Sequence, residues 1–169
     1  MYVLHAIRRA KENTGLPHKS IRLPSTDIAK DIETIKSKIS REEGTWRIYR
    51  SVNKRDVFKT YKWMQHKMLD DTDMFHADRL DRLWTKGLMQ PENKAERLYL
   101  VDVDSKDAVE VDSVVITLNI LGVKIDEIIE TPNGFHIVAN PFDVRDLDDC
   151  KYTEVKKDAL LFIERVEND

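Results

Sequence analysis

The chain has 169 residues, the length of a single domain, and its formal net charge is −3. Hydrophobic residues make up 41% and charged residues 35% of the sequence, which is typical of a globular, soluble protein with a heavily charged surface. The single cysteine, Cys150, excludes an internal disulfide and favours a reducing compartment. No apolar run approaches the roughly 20 residues of a membrane span, so we expect a cytoplasmic protein without a membrane partner.

The first 44 residues are expected to form a helical and extended N-terminal extension. Residues 2–11 suit a short helix, and residues 16–24 suit a connector. Isoleucines at positions 28, 32, 35 and 39 have the spacing of one helical face. Residues 45–169 are expected to form the core, in one compact domain together with the extension.

The sequence from residue 46 to residue 93 predicts a strand followed by helices. Large apolar and polar residues alternate over 46–52, which indicates a strand with one buried face. Asn53 can cap the next helix, whose apolar residues fall at positions 57, 61, 64 and 68. A further short helix is expected around residues 77–84.

The second half of the sequence predicts several strands around one helix. Residues 98–101 form a short apolar run typical of a central strand. A helical apolar face extends from residue 111 to residue 121 and ends at Gly122. Residues 125–131 and 135–138 are expected as strands joined by a tight turn, and a last strand is expected over 152–163. This order predicts an α+β fold, with helices packed on one face of a mostly antiparallel sheet.

Two acidic residues, Asp102 and Asp104, end the apolar strand. Residues two apart on a strand point to the same face, and paired carboxylates can bind one or two Mg²⁺ or Mn²⁺ ions. Such ions can stabilise the attacking and leaving oxygens of a phosphoryl or nucleotidyl transfer. The alternative is a strand that runs into a polar turn, where Asp is common.

The turn between the two later strands contains Asn133 and Gly134, and His136 lies just beyond it. Gly134 permits a positive φ in a tight turn. Exposed N–H groups of the turn, together with the imidazole, can cradle a phosphate. The alternative is a hairpin turn with a half-buried structural histidine.

Two further groups of charged residues are candidates for the same chemistry. Glu154 can supply a third metal ligand from a neighbouring strand, and Lys157 can meet a phosphate; a solvated charged strand is the alternative. Arg47, Asn53 and Arg55 lie in a basic segment, and arginine suits bidentate phosphate contacts. Ordinary surface charge is the alternative for that segment.

Several function classes are excluded because their motifs are missing. The sequence has neither the G-x-x-x-x-G-K-[ST] phosphate loop nor the G-x-G-x-x-G dinucleotide motif. It has no C-x-x-C pair, which excludes a zinc ribbon.

Residues 98–104 and 131–136, which read LYLVDVD and TPNGFH, resemble the catalytic core of the archaeo-eukaryotic primase superfamily. The resemblance is strongest to the primase-polymerase proteins of plasmids and phages. A group of small phage-encoded proteins is also similar. Those proteins carry an R-x-Y-x-x-x-N-x-R segment, which residues 47–55 match, and a D-[IV]-x-K segment, where residues 154–157 of this chain read EVKK. The resemblance covers about residues 45–163.

This resemblance implies an RRM-like sheet and metal-dependent nucleotidyl or phosphoryl transfer on nucleotides or nucleic acid, in the host-cell cytoplasm if the protein is phage-encoded. It implies that Asp102 and Asp104 are catalytic ligands of Mg²⁺ or Mn²⁺, with Glu154 or else Asp158 as the third ligand. His136 would be catalytic and bind phosphates. Nucleotides and nucleic acid are the implied partners, with a replication protein as a further one. The residues expected to bind nucleotide or phosphate are Arg47, Asn53, Arg55, Asn133, Gly134, His136 and Lys157.

The sequence departs from the superfamily pattern at two positions. Asn133 stands where serine is usual, and the third acid is Glu154 rather than aspartate. A non-catalytic module that binds nucleic acid or a nucleotide, or a phage accessory or anti-defence protein, is therefore an alternative. RNA-binding sheets use exposed aromatic residues, and the central strand offers Tyr99, but Asp102 and Asp104 would repel a phosphate backbone.

Overall fold

The computed structural model describes residues 1–70, 79–148 and 150–168. The helices are α1 (Ile28–Ile39), α2 (Val57–Asp70), α3 (Leu80–Leu88) and α4 (Ala108–Ile120). The strands are β1 (Tyr2–Arg8), β2 (Lys19–Ser25), β3 (Gly44–Ser51), β4 (Tyr99–Val103), β5 (Ile125–Glu130), β6 (Phe135–Ala139), β7 (Thr153–Lys156) and β8 (Leu160–Asn168). No helix among these residues is long and apolar enough to cross a membrane.

The strands form two antiparallel four-stranded sheets, and helices pack against them. The strand order is β2-β1-β3-β8 in the first sheet and β5-β6-β4-β7 in the second. The predicted α+β class is confirmed. The sequence indicated one sheet rather than two, because the strands β1 and β2 were expected as a helix and a connector.

The chain divides into two compact units. The first comprises Met1–Glu96 and Ile163–Asp169, and the second comprises Arg97–Phe162. This division differs from the expected boundary at residue 44. Strand β1 pairs antiparallel with β3, so residues 1–44 belong to the same unit as the strand that follows them.

The first unit contains a sheet with α1 packed on one face. Strand β1 pairs with β2 on one side and with β3 on the other, which is why residues 2–8 are extended rather than helical. The predicted helix at 28–39 is confirmed as α1, and its apolar face packs on the sheet. The buried residues of this core are Leu4, Ala6, Ile35, Ile39, Trp46 and Ile48.

Helices α2 and α3 complete the first unit. Asp56, not Asn53, caps α2, because the backbone N–H of Lys59 donates to the Asp56 carboxylate over 3.0 Å. The Asn53 side chain is instead fully buried. Of the short helix expected around 77–84, residues 77 and 78 lie outside the described residues, and the rest falls largely in α3.

The second unit is a sheet covered on one face by α4. The expected strands at 98–101, 125–131 and 135–138 correspond to β4, β5 and β6, and the expected helix corresponds to α4. The last expected strand, 152–163, is two strands, β7 and the start of β8. The core of this unit consists of Val101, Val103, Val111, Val114, Leu118, Ile137 and Leu147.

Gly122 ends α4 as predicted. Its φ of +68° is a left-handed conformation that glycine adopts without a steric penalty. The backbone N–H of Val123 donates to the Leu118 carbonyl over 2.9 Å, and that of Gly122 donates to Asn119 over 3.0 Å. These two bonds satisfy carbonyls that the end of the helix would otherwise leave open.

Strands β5 and β7 are the edges of the second sheet. Strand β7 has only four residues. Strand β5 pairs with β6, and the pairing is irregular between Ile125 and Glu127, where the register shifts. Both edges are therefore short or distorted, while the central strands β4 and β6 are regularly paired.

Gly134 is required for a reason that differs from the predicted one. It is not among the residues with positive φ. A Cβ atom on Gly134 would lie 1.9 Å from the carbonyl oxygen of Val103 and 2.7 Å from the backbone nitrogen of Ser105. The turn after β5 therefore packs directly against the end of β4, and only a residue without a side chain fits there.

We expect Gly134→Ala to destabilise the fold by about 3 kcal/mol, the upper part of the range for overpacking, because both obstructing atoms belong to the backbone. Gly15→Ala is the control. Gly15 has a φ of +83° and open space around its missing Cβ, so that change should cost about 1 kcal/mol. Urea unfolding of both variants measures the difference, and equal losses would contradict the close contact.

Candidate functional site

Asp102 lies on the central strand β4, between two site residues on the neighbouring strands. His136 on β6 is its direct partner on one side, and Glu154 on β7 is its direct partner on the other. Directly paired residues of antiparallel strands point to the same face of a sheet. The register therefore brings three of the predicted site residues together.

This shared face is the one opposite α4. Val101 and Val103 belong to the core beneath α4, and successive residues of a strand point to alternate faces. Asp102 therefore points away from that core. The same alternation places the side chain of Tyr99 with Val101 and Val103, so the aromatic residue considered for base stacking does not share a face with Asp102.

The carboxylate of Asp102 contacts two partners. The His136 Nε2 atom lies 3.3 Å from its Oδ1, and the Lys156 ammonium lies 2.6 Å from its Oδ2. The same ammonium lies 3.0 Å from the Glu154 carboxylate. Lys156 therefore bridges the two carboxylates, one of them largely buried and the other exposed.

His136 is held at both ring nitrogens. The backbone N–H of Phe162 donates to its Nδ1 over 3.3 Å, so Nδ1 carries no proton. The proton is therefore on Nε2, which donates to Asp102. The imidazole is buried, with 8% of its surface exposed, and these two bonds fix its orientation toward Asp102.

The contacts shift the pKa values of two groups. The hydrogen bond from His136, supported by the Lys156 ammonium, lowers the pKa of Asp102 to about 2, although burial opposes this shift. Burial disfavours the charged form of Lys156, but its hydrogen bonds to Asp102 and Glu154 outweigh burial and raise the pKa of Lys156. Both groups are therefore charged at neutral pH.

Asp104 lies just beyond the end of β4 and is exposed. Its backbone N–H donates to the carbonyl of Tyr152 over 2.8 Å. Next to it, Gly134 packs against Val103 and Ser105. The D-x-D segment and the turn after β5, identified separately in the sequence, are therefore neighbours in the structure.

The turn itself offers fewer free donors than predicted. The backbone N–H of Gly134 donates to the side-chain oxygen of Thr131 over 3.1 Å, so it is already used. The backbone N–H of Thr131 in turn donates to the Gly134 carbonyl over 2.8 Å. Asn133 is exposed at the tip. The role of Asn133 in phosphate binding stays a prediction.

Lys156, rather than Lys157, contacts the two carboxylates. The ammonium of Lys157 lies 5.8 Å from the centre of the Tyr99 ring, within the range of a cation–π contact. The signal for Lys156 was present in the sequence, because it stands two positions after Glu154 and residues two apart on a strand share a face.

The first unit contains three residues that the sequence predicts to bind phosphate, namely Arg47, Asn53 and Arg55. Arg47 forms an ion pair with Glu12, with 2.9 Å between its Nε and the carboxylate. The side chains of Asn53 and Arg55 are buried, with 0% and 1% exposed. Arg55 is thus a buried residue rather than a surface arginine, and a phosphate role for these three residues stays a prediction.

No group of three or more His, Cys, Asp or Glu side chains that could hold a metal ion occurs among residues 1–70, 79–148 and 150–168. Two carboxylates, those of Asp102 and Glu154, do share one cation, the Lys156 ammonium. Because Glu154 pairs directly with Asp102, the register favours it over Asp158 as the additional acid.

Comparisons with known proteins do not identify a relative. No family model, no curated protein and no solved structure matches the chain. The resemblance to the primase core therefore depends on the sequence segments described above.

We expect Asp102→Asn to lower the free energy of unfolding by about 2 kcal/mol near pH 7 in the absence of divalent metal. This is the free energy that corresponds to the lowering of the Asp102 pKa from 3.8 to about 2. A lowered carboxylate pKa stabilises the fold above the unfolded value of 3.8 and loses this effect as the pH falls toward 2. The difference between wild type and variant in urea unfolding should therefore shrink below pH 4. Asp112→Asn on the exposed side of α4 is the control and should change stability by less than about 0.5 kcal/mol. A pH-independent difference at Asp102 would contradict the assignment.

Proposed function

We propose that this chain is a metal-dependent nucleotidyl- or phosphoryl-transfer protein of primase-like type, acting on nucleotides or nucleic acid. The observation that supports the proposal is the register that places Asp102 between His136 and Glu154. A charged, largely buried carboxylate next to an exposed one is a suitable ligand pair for Mg²⁺ or Mn²⁺, which prefer oxygen ligands.

The carboxylates suit a metal ion that takes most of its other ligands from the substrate and from water. Mg²⁺ is often bound by one or two carboxylates, with water and substrate phosphates as its other ligands. Asp102 and Glu154 would hold the ion, and the exposed Asp104 would supply a further carboxylate. A bound ion would neutralise the charge that develops on the transferring phosphoryl group.

His136 and Lys156 would assist in different ways. Both nitrogens of His136 are engaged, so we assign it to orienting Asp102 rather than to binding phosphate. The Lys156 ammonium now neutralises part of the carboxylate charge. With a divalent ion bound by the two carboxylates, the flexible Lys156 side chain would be available to a phosphate oxygen.

A second candidate function is a binding module without metal chemistry. The bridging position of Lys156 favours it, because an internal cation already compensates one of the two carboxylates. Such a module would bind a nucleotide or nucleic acid without turnover, as a phage accessory or anti-defence protein would. Metal-dependent turnover separates the two functions.

We expect Asp104→Asn and Asp102→Asn to weaken Mn²⁺ binding. Each change should also lower the metal-dependent turnover of nucleoside triphosphates at least about a hundredfold, because losing one electrostatic contact in an active site has an effect of this size. Asp112→Asn should leave both unchanged. His136→Ala should weaken Mn²⁺ binding through Asp102. Mn²⁺ binding followed by electron paramagnetic resonance and product analysis measure these effects. Absence of turnover in the wild type, with tighter nucleic-acid binding in Asp104→Asn, would favour the binding module.

We expect Lys156→Met to increase Mn²⁺ affinity about tenfold, because the change removes the cation that competes for Asp102 and Glu154 at only 2.6 and 3.0 Å. Lys157→Met is the matched control, since it removes the same charge one residue away. Its Mn²⁺ affinity should change less than about threefold, because an exposed charge is screened by salt. Weaker Mn²⁺ binding in Lys156→Met would show that the lysine does not occupy the position of the metal.

A further inference from the structure

The first unit contains a groove between β2 and α3 that none of the predicted site residues lines. Its volume is about 650 Å³, and it is lined by Ser20, Arg22, Asp81, Arg82, Thr85 and Lys86. We propose that this groove binds the phosphate groups of a nucleic-acid strand. The proposal is independent of the Asp102 site and requires no metal.

The groove has an excess of positive charge. Three of its lining residues are cationic and only Asp81 is acidic. Within the part of the chain that the structure describes, none of Arg22, Arg82 and Lys86 forms an ion pair. Their charges are therefore available to an anion, and two hydroxyl groups beside them, of Ser20 and Thr85, suit phosphate oxygens.

Arg22 is held in position by a buried histidine. Its Nε donates to Nε2 of His5 over 3.4 Å, and His5 is 7% exposed. Burial, supported by the charges of Arg22 and His18, lowers the pKa of His5 to about 4. At neutral pH the imidazole is therefore uncharged and can accept this bond, which leaves the terminal guanidinium nitrogens of Arg22 for a ligand.

The cations on α3 form a continuous strip. Arg82 and Lys86 are four residues apart, so they are neighbours on one side of the helix. An adjoining groove of about 270 Å³ shares both residues and is also lined by Arg79 and Leu83. An extended strip of this kind suits a chain of successive phosphates better than one isolated phosphate, and arginine pairs with phosphate through two parallel hydrogen bonds.

The test is the affinity of the full chain for a fluorescent single-stranded oligonucleotide, measured by anisotropy in EDTA over a range of salt concentrations. The double variant Arg82→Gln/Lys86→Gln should raise the Kd about tenfold at low salt. The slope of log affinity against log salt should become shallower by about 1.4, the value for two lost phosphate contacts on a single strand. Arg22→Gln should also weaken binding, from the β2 side of the groove.

The matched control is Lys30→Gln/Lys38→Gln, which removes two exposed charges from α1 and gives the same net charge. Its Kd should change less than twofold. Equal losses in the two double variants, or no binding by the wild type, would overturn the proposal. Inorganic phosphate and a nucleoside triphosphate are added as competitors. If either competitor displaces the strand at an equal concentration of phosphate groups, the groove binds a small phosphate compound and the strand assignment is wrong.

Discussion

The pairing of β4 with β6 and β7 is the constraint on which the candidate site depends. A shift of one residue would turn Asp102 into the core beneath α4 and would turn Val101 outward. Burial of a charged carboxylate in that apolar core is prohibitive, whereas burial of Val101 and Val103 is favourable. The hydrophobic residues of β4 thus determine which polar residues meet. His136 and Glu154 lie on the same face of the sheet as Asp102, because each pairs directly with it and side chains alternate along their strands as well.

The polar side chains on this face also hold one another in defined positions. His136 is bound at both nitrogens, and Lys156 binds two carboxylates at once. Close packing of Gly134 against the end of β4 fixes the turn that leads to His136. A site whose residues are already oriented loses little conformational entropy when it binds a ligand. This order is compatible both with a transfer enzyme and with a binding module.

The sequence predicted the second unit better than the first for a physical reason. Apolar runs, Gly122 and the turn before His136 are local signals, and they define β4, α4, β5 and β6. Strand β1 has no such signal, because its stability comes from pairing with β2, across the intervening loop, and with β3, which follows α1. The candidate site likewise depends on strand pairing that local sequence signals do not reveal. Alternation along β7 predicts that Lys156 shares a face with Glu154, but the pairing of Glu154 with Asp102 depends on the register of β7, which the sequence does not specify.

The irregular pairing of β5 has a consequence for how the molecule behaves at high concentration. A regular edge strand exposes a row of backbone donors and acceptors that can pair with another chain and start aggregation. In β5 the register shift distorts that row, and Asp126 and Glu130 add exposed negative charges along it. At the other edge, β7 is too short to offer a long template. The second sheet therefore protects itself against intermolecular strand addition at both edges while its centre stays regular.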